Sequence, residues 1–163
     1  VELRLSDGLA ALKRDEVDDI VIAGMGGELI AAILGRAPWI REDTLRFILQ
    51  PMSHPEKLRA FLYEHGFALL QEETVLDSGR LYTVMLSAFT GHVLTPTLEE
   101  CYLGRLGEST SPYTPAYLTR QAALLVKRKA GLSPEEGEHI DHVIRTLREK
   151  AAVLELQQKE ASL

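Results

Sequence analysis

One segment, residues 18–30, restricts the fold of this chain more than any other. Two acids lead into an apolar run at residues 20–23, three glycines interrupt the pattern between positions 24 and 27, and apolar residues then recur at helical spacing from Leu29. A continuous apolar run is typical of a strand buried on both faces of a parallel sheet, and glycines allow positive φ and a close approach to the backbone. The segment therefore predicts a strand, a tight turn and a helix.

The same turn suggests a ligand site, because the first N–H groups of the helix would point towards the end of the strand. The glycines alone are equally consistent with a tight connection that binds nothing. They do not complete a dinucleotide-binding fingerprint, since the third glycine of that motif would fall at Leu29.

The first 92 residues continue this alternation of strands and helices. Their apolar periodicity and turn-forming residues predict strands at 1–5, 20–23, 45–51, 67–76 and 81–89, and helices at 9–16, at 28–34 and from 55 to a cap at Gly66. The last two strands flank a short turn-forming link at residues 77–80, which favours an antiparallel hairpin. We therefore expect an α/β fold whose parallel sheet ends in an antiparallel hairpin.

Residues 93–163 are predicted to be mainly helical. A connector rich in glycine, proline and serine contains one short helix at 98–103, and two long helices follow. Ser133 and Glu136 form a capping-box signature, with Pro134 at the first helical position. We expect an α/β domain at residues 1–92 and an α-helical coiled-coil hairpin at residues 93–163. Apolar residues of the second long helix recur at alternating spacings of four and three: Ile140, Ile144, Leu147, Ala151 and Leu154.

Composition and charge exclude several classes of protein. No run approaches the roughly 20 apolar residues of a membrane helix. The single cysteine, Cys101, can form no intramolecular disulfide and is expected to be a buried thiol, so we expect a cytoplasmic protein. The net charge is −6, but residues 115–163 carry eight basic and seven acidic residues, so the acidity lies in the first 114. If nucleic acid binds, the helical part is the better candidate for phosphate contacts.

Three loops are expected to lie side by side at the carboxyl ends of parallel strands, where open α/β sheets bind ligands: residues 6–8, 23–27 and 50–54. Asp7 can accept hydrogen bonds from a ligand or cap a helix, and Gln50 offers a donor and an acceptor or satisfies its own loop. His54 is expected mainly to begin the helix at Pro55. The sequence offers no metal-ligand cluster and no nucleophile elbow.

These residues together resemble a known family. The runs Asp7-Gly8-Leu9, Ile22-Ala23-Gly24-Met25-Gly26-Gly27-Glu28-Leu29-Ile30, Ile48-Leu49-Gln50-Pro51 and His65-Gly66-Phe67, with Leu58-Arg59 and Tyr82, are similar to the bacterial tRNA (adenine-N1)-methyltransferases of the TrmK family. The resemblance covers most of the chain, including its helical part. It implies a Rossmann-like class I methyltransferase fold that binds S-adenosylmethionine, a coiled-coil domain that helps to hold tRNA, and methylation of the adenine at position 22.

The resemblance also implies roles for individual residues. Gln50 and Pro51 would line the base-binding side and position the target adenine. Lys127, Arg128 and Lys129 are candidates for RNA contact, although such a run is usually a solvated helix end favoured by the helix dipole. The residues expected to contact the cofactor are Asp7, Gly8, Leu9, Ala23, Gly24, Met25, Gly26 and Gly27.

The amino terminus departs from that family. Its members carry, before the equivalent of Val1, a first strand with a glycine-containing cofactor loop and a second strand whose acid holds the ribose. We therefore expect a truncated form that binds the cofactor weakly or not at all by itself. Two alternatives are a nicotinamide-dependent oxidoreductase that uses residues 24–27 as a phosphate loop, and a non-catalytic nucleic-acid-binding module in which the helical part binds the partner.

Overall fold

A computed structural model describes residues 2–42 and 44–161 of the chain, which divides into two compact units. The sheet unit comprises Val1–Gln71 and Val84–Thr95, and the helical unit comprises Glu72–Thr83 and Pro96–Leu163. The distal half of the predicted hairpin thus groups with the helices, whereas the sequence-based domain boundary followed the whole hairpin.

A four-stranded mixed sheet contains β1 (Asp19–Gly26), β2 (Arg46–Ser53), β3 (Phe67–Asp77) and β4 (Arg80–Phe89) in the order β1-β2-β4-β3. β1 pairs parallel to β2, and β2 pairs antiparallel to β4. The neighbours β3 and β4 are joined by only two residues, Ser78 and Gly79, and a link this short connects antiparallel strands. The predicted α/β architecture with a terminal hairpin is confirmed.

Two helices, α1 (Gly27–Gly35) and α2 (Pro55–Glu64), supply apolar side chains to the core of the sheet unit. Residues of β1 and β2 alternate between buried and exposed, so one sheet face is packed and the other is open. The expectation that the apolar run at residues 20–23 is buried on both faces is therefore wrong. The exposed positions include Val21 and Ile48, which are paired across β1 and β2 and remain 64% and 38% exposed. The core combines residues from all these elements: Ile20, Ile22, Ile30, Leu34, Phe47, Leu49, Leu58, Leu62, Phe67 and Leu69.

The helical unit contains α3 (Leu98–Leu103), α4 (Thr114–Lys129) and α5 (Pro134–Ala161). Leu118 and Leu125 of α4 join α5 residues in a second core. The capping box is present, since the Ser133 hydroxyl donates to Glu136 Oε2 at 2.6 Å and accepts from the Glu136 backbone N–H at 3.4 Å. All five predicted seam positions of α5 are buried, and coiled-coil geometry itself stays a prediction.

Several predicted elements near the amino terminus are wrong. Residues 2–5 form no strand and are exposed, because none of the four strands of the sheet pairs with them. The Arg4 side chain instead donates to Glu16. The helix predicted at 9–16 is reduced to turns and the short 3-10 helix Arg14–Glu16. β1 also continues through Gly26, and β2 continues past Pro51 to Ser53. Gly24 and Gly26 therefore belong to the end of a strand and Gly27 begins α1, with no separate turn between them.

Candidate active site at the carboxyl ends of β1 and β2

The ends of β1 and β2 meet at an irregular step in their register. Ala23 pairs with Gln50 and Met25 pairs with Pro51, so Gly24 has no partner on β2. Gly24 adopts a φ of +78°, a left-handed value that favours glycine. The backbone N–H of Gly24 donates to the side-chain oxygen of Gln50 at 2.9 Å. The Gly24 position is therefore a bulge closed by a side chain of the neighbouring strand.

The three glycines of this segment have different surroundings. A Cβ on Gly27 would lie 2.2 Å from the backbone oxygen of His54, and a Cβ on Gly26 would lie 3.1 Å from Ser53 Oγ. A Cβ on Gly24 would meet nothing within 4 Å. Gly27 therefore permits a close approach between two parts of the chain, whereas Gly24 leaves its backbone open to a ligand.

His54 begins α2, as expected from its place before Pro55. It is the N-cap residue with a φ of +51°, and its carbonyl accepts from the backbone N–H of Lys57 at 3.1 Å. Its Nδ1 lies 3.1 Å from Glu56 Oε1. The contacts of His54 are therefore with the first turn of α2, as expected for a residue that begins a helix.

The structure does not bring the loop at residues 6–8 to these two strand ends. A Cβ on Gly8 would lie 2.9 Å from Cγ2 of Ile33, and Asp7 Oδ2 accepts from Arg36 Nη1 at 3.1 Å. Ile33 follows Gly27 by six residues, which places it about 9 Å farther along α1. Leu9 is a core residue. The cofactor contacts expected of Asp7, Gly8 and Leu9 stay predictions.

The carboxylate of Glu16 accepts several charged and polar hydrogen bonds in the amino-terminal segment. Arg4 donates two hydrogen bonds to Glu16, each of 2.9 Å, and the Lys13 backbone N–H donates a third at 2.7 Å. The Arg4 guanidinium is the largest cause that lowers the pKa of Glu16 to about 2. Glu16 is therefore ionised at neutral pH, and its hydrogen bonds connect Arg4 to the start of the 3-10 helix at Arg14–Glu16.

The three candidate RNA-binding cations occupy the last turn of α4 with different partners. Arg128 Nη1 donates to the Tyr102 hydroxyl at 3.2 Å, and Lys129 Nζ pairs with Asp141 Oδ2. Lys127 is exposed and has no hydrogen bond or ion pair among the described residues. Arg128 and Lys129 thus have side-chain partners in the helical unit, Lys127 is the cation open to a partner, and the favourable interaction with the helix dipole stays a prediction.

Sequence reasoning missed the contact between Gln50 and Gly24. A glycine directly after an apolar strand is a known sign of a bulge, but nothing in the sequence shows which side chain closes it. Two methionines at the strand ends are exposed: Met25, an expected cofactor contact, is 39% exposed, and Met52, which was not predicted to contribute to the site, is 48% exposed. Their exposure adds apolar surface at this edge of the sheet.

Within residues 2–42 and 44–161, no three His, Cys, Asp or Glu side chains are grouped so that they could hold a metal ion. Among those residues, no helix combines the length and apolar character needed to cross a membrane.

Comparison with known proteins defines the class of this fold. The family model described as a methyltransferase domain matches residues 1–85, more than half of the chain, so the chain belongs to the methyltransferase-domain family. The match agrees with the predicted Rossmann-like methyltransferase fold, and it gives no support to the nicotinamide-dependent oxidoreductase.

Individual relatives are similar in sequence and structure. A Bacillus subtilis protein named tRNA (adenine(22)-N(1))-methyltransferase is 39% identical over 87 residues, which are 53% of this chain and 37% of that protein. The crystal structure of B. subtilis tRNA methyltransferase TrmK is 25% identical, with a TM-score of 0.69 over 93% of this chain and 68% of that chain. A Streptococcus pneumoniae protein solved in complex with S-adenosyl-L-methionine is 28% identical, with a TM-score of 0.68 over 91% of this chain and 67% of that chain. The matched segment thus spans little more than a third of the curated relative.

Proposed function

We propose that this chain takes part in methyl transfer from S-adenosylmethionine to N1 of the adenine at position 22 of tRNA. The observation that carries the proposal is the 39% identity over 87 residues to the B. subtilis protein of that name. The open backbone at Gly24 supports it, because that backbone offers a ligand direct access at the carboxyl edge of the sheet.

S-adenosylmethionine supplies an activated methyl group on its sulfonium sulfur. The proposed contacts with this cofactor are made by the backbone of Ala23, Gly24, Met25, Gly26 and Gly27. Gly24 fits such a ligand because a Cβ at this position would point into open space, where it would obstruct an approaching molecule.

The proposed contribution of the amino-terminal loop is smaller. Asp7 keeps most of its carboxylate exposed beside Arg36 and can accept a hydrogen bond from an amine or hydroxyl. Gly8 and Leu9 would support Asp7 through packing, since Leu9 is buried and Gly8 lies against Ile33.

The target nitrogen needs positioning more than activation. N1 of adenine already carries a lone pair, so its attack on a methyl group requires no strong base. The protein must expose the base and align it with the methyl group, and alignment of this kind contributes several kcal/mol, up to roughly 7–11 in the best cases. Gln50 and Pro51 are proposed for this task because they lie directly beside Gly24 on the neighbouring strand.

The proposed partner is tRNA, with the cytoplasm as the setting. Phosphate contacts are proposed for Lys127, Arg128 and Lys129 at the end of α4. Cations near the surface of a protein attract the RNA backbone without reading its sequence.

The decisive experiment measures transfer of labelled methyl groups from S-adenosylmethionine to tRNA by the purified full-length protein, because this chain by itself is expected to bind the cofactor weakly or not at all. We expect incorporation into a tRNA with adenine at position 22 and its loss when guanine replaces that adenine, with 1-methyladenosine identified by mass spectrometry. Equal incorporation into both tRNAs would contradict the proposed position. Retention of tRNA on a filter without methyl transfer would instead support the non-catalytic binding module.

A further inference from the structure

We propose that Gln50 is a positioning residue, which shapes the methyl-transfer site by holding the Gly24 bulge and does not bind the target adenine through its amide N–H. This inference rests on the proposed function and assigns the action of Gln50 to one hydrogen bond. Its consequence is that the oxygen of the Gln50 side chain matters for methyl transfer and its nitrogen does not.

The first argument is the hydrogen-bond pattern of the two strands. Between the pairs Ala23–Gln50 and Met25–Pro51, β1 contains one residue that has no counterpart on β2. The additional residue of a bulge is left out of the ladder, so the N–H of Gly24 needs another acceptor. The side-chain oxygen of Gln50 supplies it at 2.9 Å.

The second argument is that both ends of the Gln50 amide are engaged. Its oxygen faces a donor, the Gly24 N–H, and its nitrogen donates to the carbonyl of Pro51 at 3.3 Å. A carboxamide flipped by 180° would place its nitrogen against the Gly24 N–H and its oxygen against a carbonyl, which are two repulsive contacts. The network therefore fixes the orientation of the amide.

The third argument is the location of the bulge. Gly24 combines a φ of +78° with open space where a Cβ would lie, whereas Gly27 is packed against the His54 backbone. The peptide groups on either side of Gly24 are thus the part of the glycine segment that a ligand can reach. Displacement of a reacting group by about 1 Å can lower the rate about 100-fold, so a residue that fixes this backbone can act without touching the substrate.

Two variants of Gln50 separate the roles of its two polar atoms. Gln50→Glu keeps an oxygen that can accept from Gly24 but removes the N–H donor. Gln50→Met keeps a side chain of similar length but removes the acceptor. Gln157→Met, on the exposed face of α5, controls for the same chemical change at a distant position.

Two measurements are made on each variant of the full-length protein: hydrogen exchange of the Gly24 amide by NMR, and kcat and KM for tRNA methylation. In Gln50→Met we expect Gly24 to exchange at least about fivefold faster, the effect of losing one ordinary hydrogen bond. We also expect kcat to fall by about 100-fold with little change in KM for S-adenosylmethionine. Gln50→Glu should keep Gly24 exchange within about threefold of the wild type and a kcat at least about tenfold above that of Gln50→Met, although its second oxygen would face the Pro51 carbonyl and lower kcat somewhat. Gln157→Met should stay within about threefold of the wild type in both measurements.

The possible results exclude one another. A kcat as low in Gln50→Glu as in Gln50→Met, with slow Gly24 exchange in Gln50→Glu, would overturn the proposal in favour of direct donation to the base. Unchanged Gly24 exchange in Gln50→Met would overturn the hydrogen bond itself. Absence of methyl transfer by the wild type would overturn the proposed function and the catalytic part of this inference, and it is detected before any variant is made.

Discussion

Glycines 24, 26 and 27 are adjacent in sequence but serve different purposes in the structure. Gly24 leaves its backbone accessible, and Gly27 allows the chain to pass directly against His54. The pattern of glycines predicted that some close approach occurs here. It did not reveal whether the approaching atoms are those of a ligand or of the protein, because both require the absence of a Cβ.

Replacement of Gly27 tests this distinction. A Cβ on Gly27 would lie 2.2 Å from the His54 backbone oxygen, and backbone cannot move aside as a flexible side chain can. We expect Gly27→Ala to lower the free energy of unfolding by about 3 kcal/mol, measured by urea denaturation. Gly131→Ala is the matched control, since a Cβ there meets nothing within 4 Å, and it should change stability by less than about 0.5 kcal/mol. Equal stability of the two variants would contradict the assignment.

Elements with strong periodic signals were predicted well, and elements that depend on distant partners were not. Ser133 and Glu136 mark the start of α5, and the regular spacing of its apolar residues predicts which side is buried. Both signals are local properties of the sequence. The predicted strand at residues 1–5 showed alternation too, but a strand also needs a neighbour with which to pair. Arg4 instead binds Glu16, a contact that sequence periodicity does not encode.

The parts of the candidate site that follow from local sequence signals were predicted, and the part that depends on a distant partner was not. The sequence placed residues 24–27 and Gln50 at adjacent strand ends, since parallel strands end at one edge, and the structure agrees. It also placed Asp7 there, and that expectation depended on the strand at residues 1–5. Residues 2–5 form no strand, and Asp7 lies beside Arg36, the residue that follows α1.

The capping box of α5 makes a prediction about pH at the scale of a single helix. The Ser133 hydroxyl is the largest cause that lowers the pKa of Glu136 in the folded protein. A lowered folded-state pKa means that Glu136 stabilises the fold above its unfolded value of about 4.3 and loses this contribution as the pH falls through the folded value. We expect Glu136→Gln to be less stable than wild type at pH 7 and to approach it below pH of about 4.

Urea unfolding at pH 7, 5 and 3 measures how the difference in free energy of unfolding between Glu136→Gln and wild type declines with pH. Glutamine keeps an oxygen that can accept from Ser133, so the substitution removes the titration without removing the cap. Glu135→Gln, one residue earlier in the same turn and outside the capping box, should show a smaller change with pH. A gap between Glu136→Gln and wild type that stays constant from pH 7 to pH 3 would show that Glu136 is not coupled to Ser133.

At the scale of the whole molecule, charge must be considered together with local pairing. The net charge is −6, so the overall field of the chain repels RNA, and binding has to come from a local group of cations. From the sequence alone, the same ability to attract RNA is assigned to Lys127, Arg128 and Lys129. The structure distinguishes them, because Asp141 already offsets the charge of Lys129 whereas Lys127 projects without a partner among the described residues.

We therefore expect Lys127→Ala to weaken tRNA binding more than Lys129→Ala does. A cation that contacts one phosphate contributes about one unit to the slope of log affinity against log salt concentration, independently of the RNA sequence. Filter binding at several salt concentrations should show that slope fall by about one in Lys127→Ala and by less in Lys129→Ala. Lys57→Ala, an exposed lysine of α2, carries the same loss of charge and should leave the slope unchanged. An equal fall in Lys57→Ala would show that tRNA responds only to net charge, and would remove the end of α4 from the proposed interface.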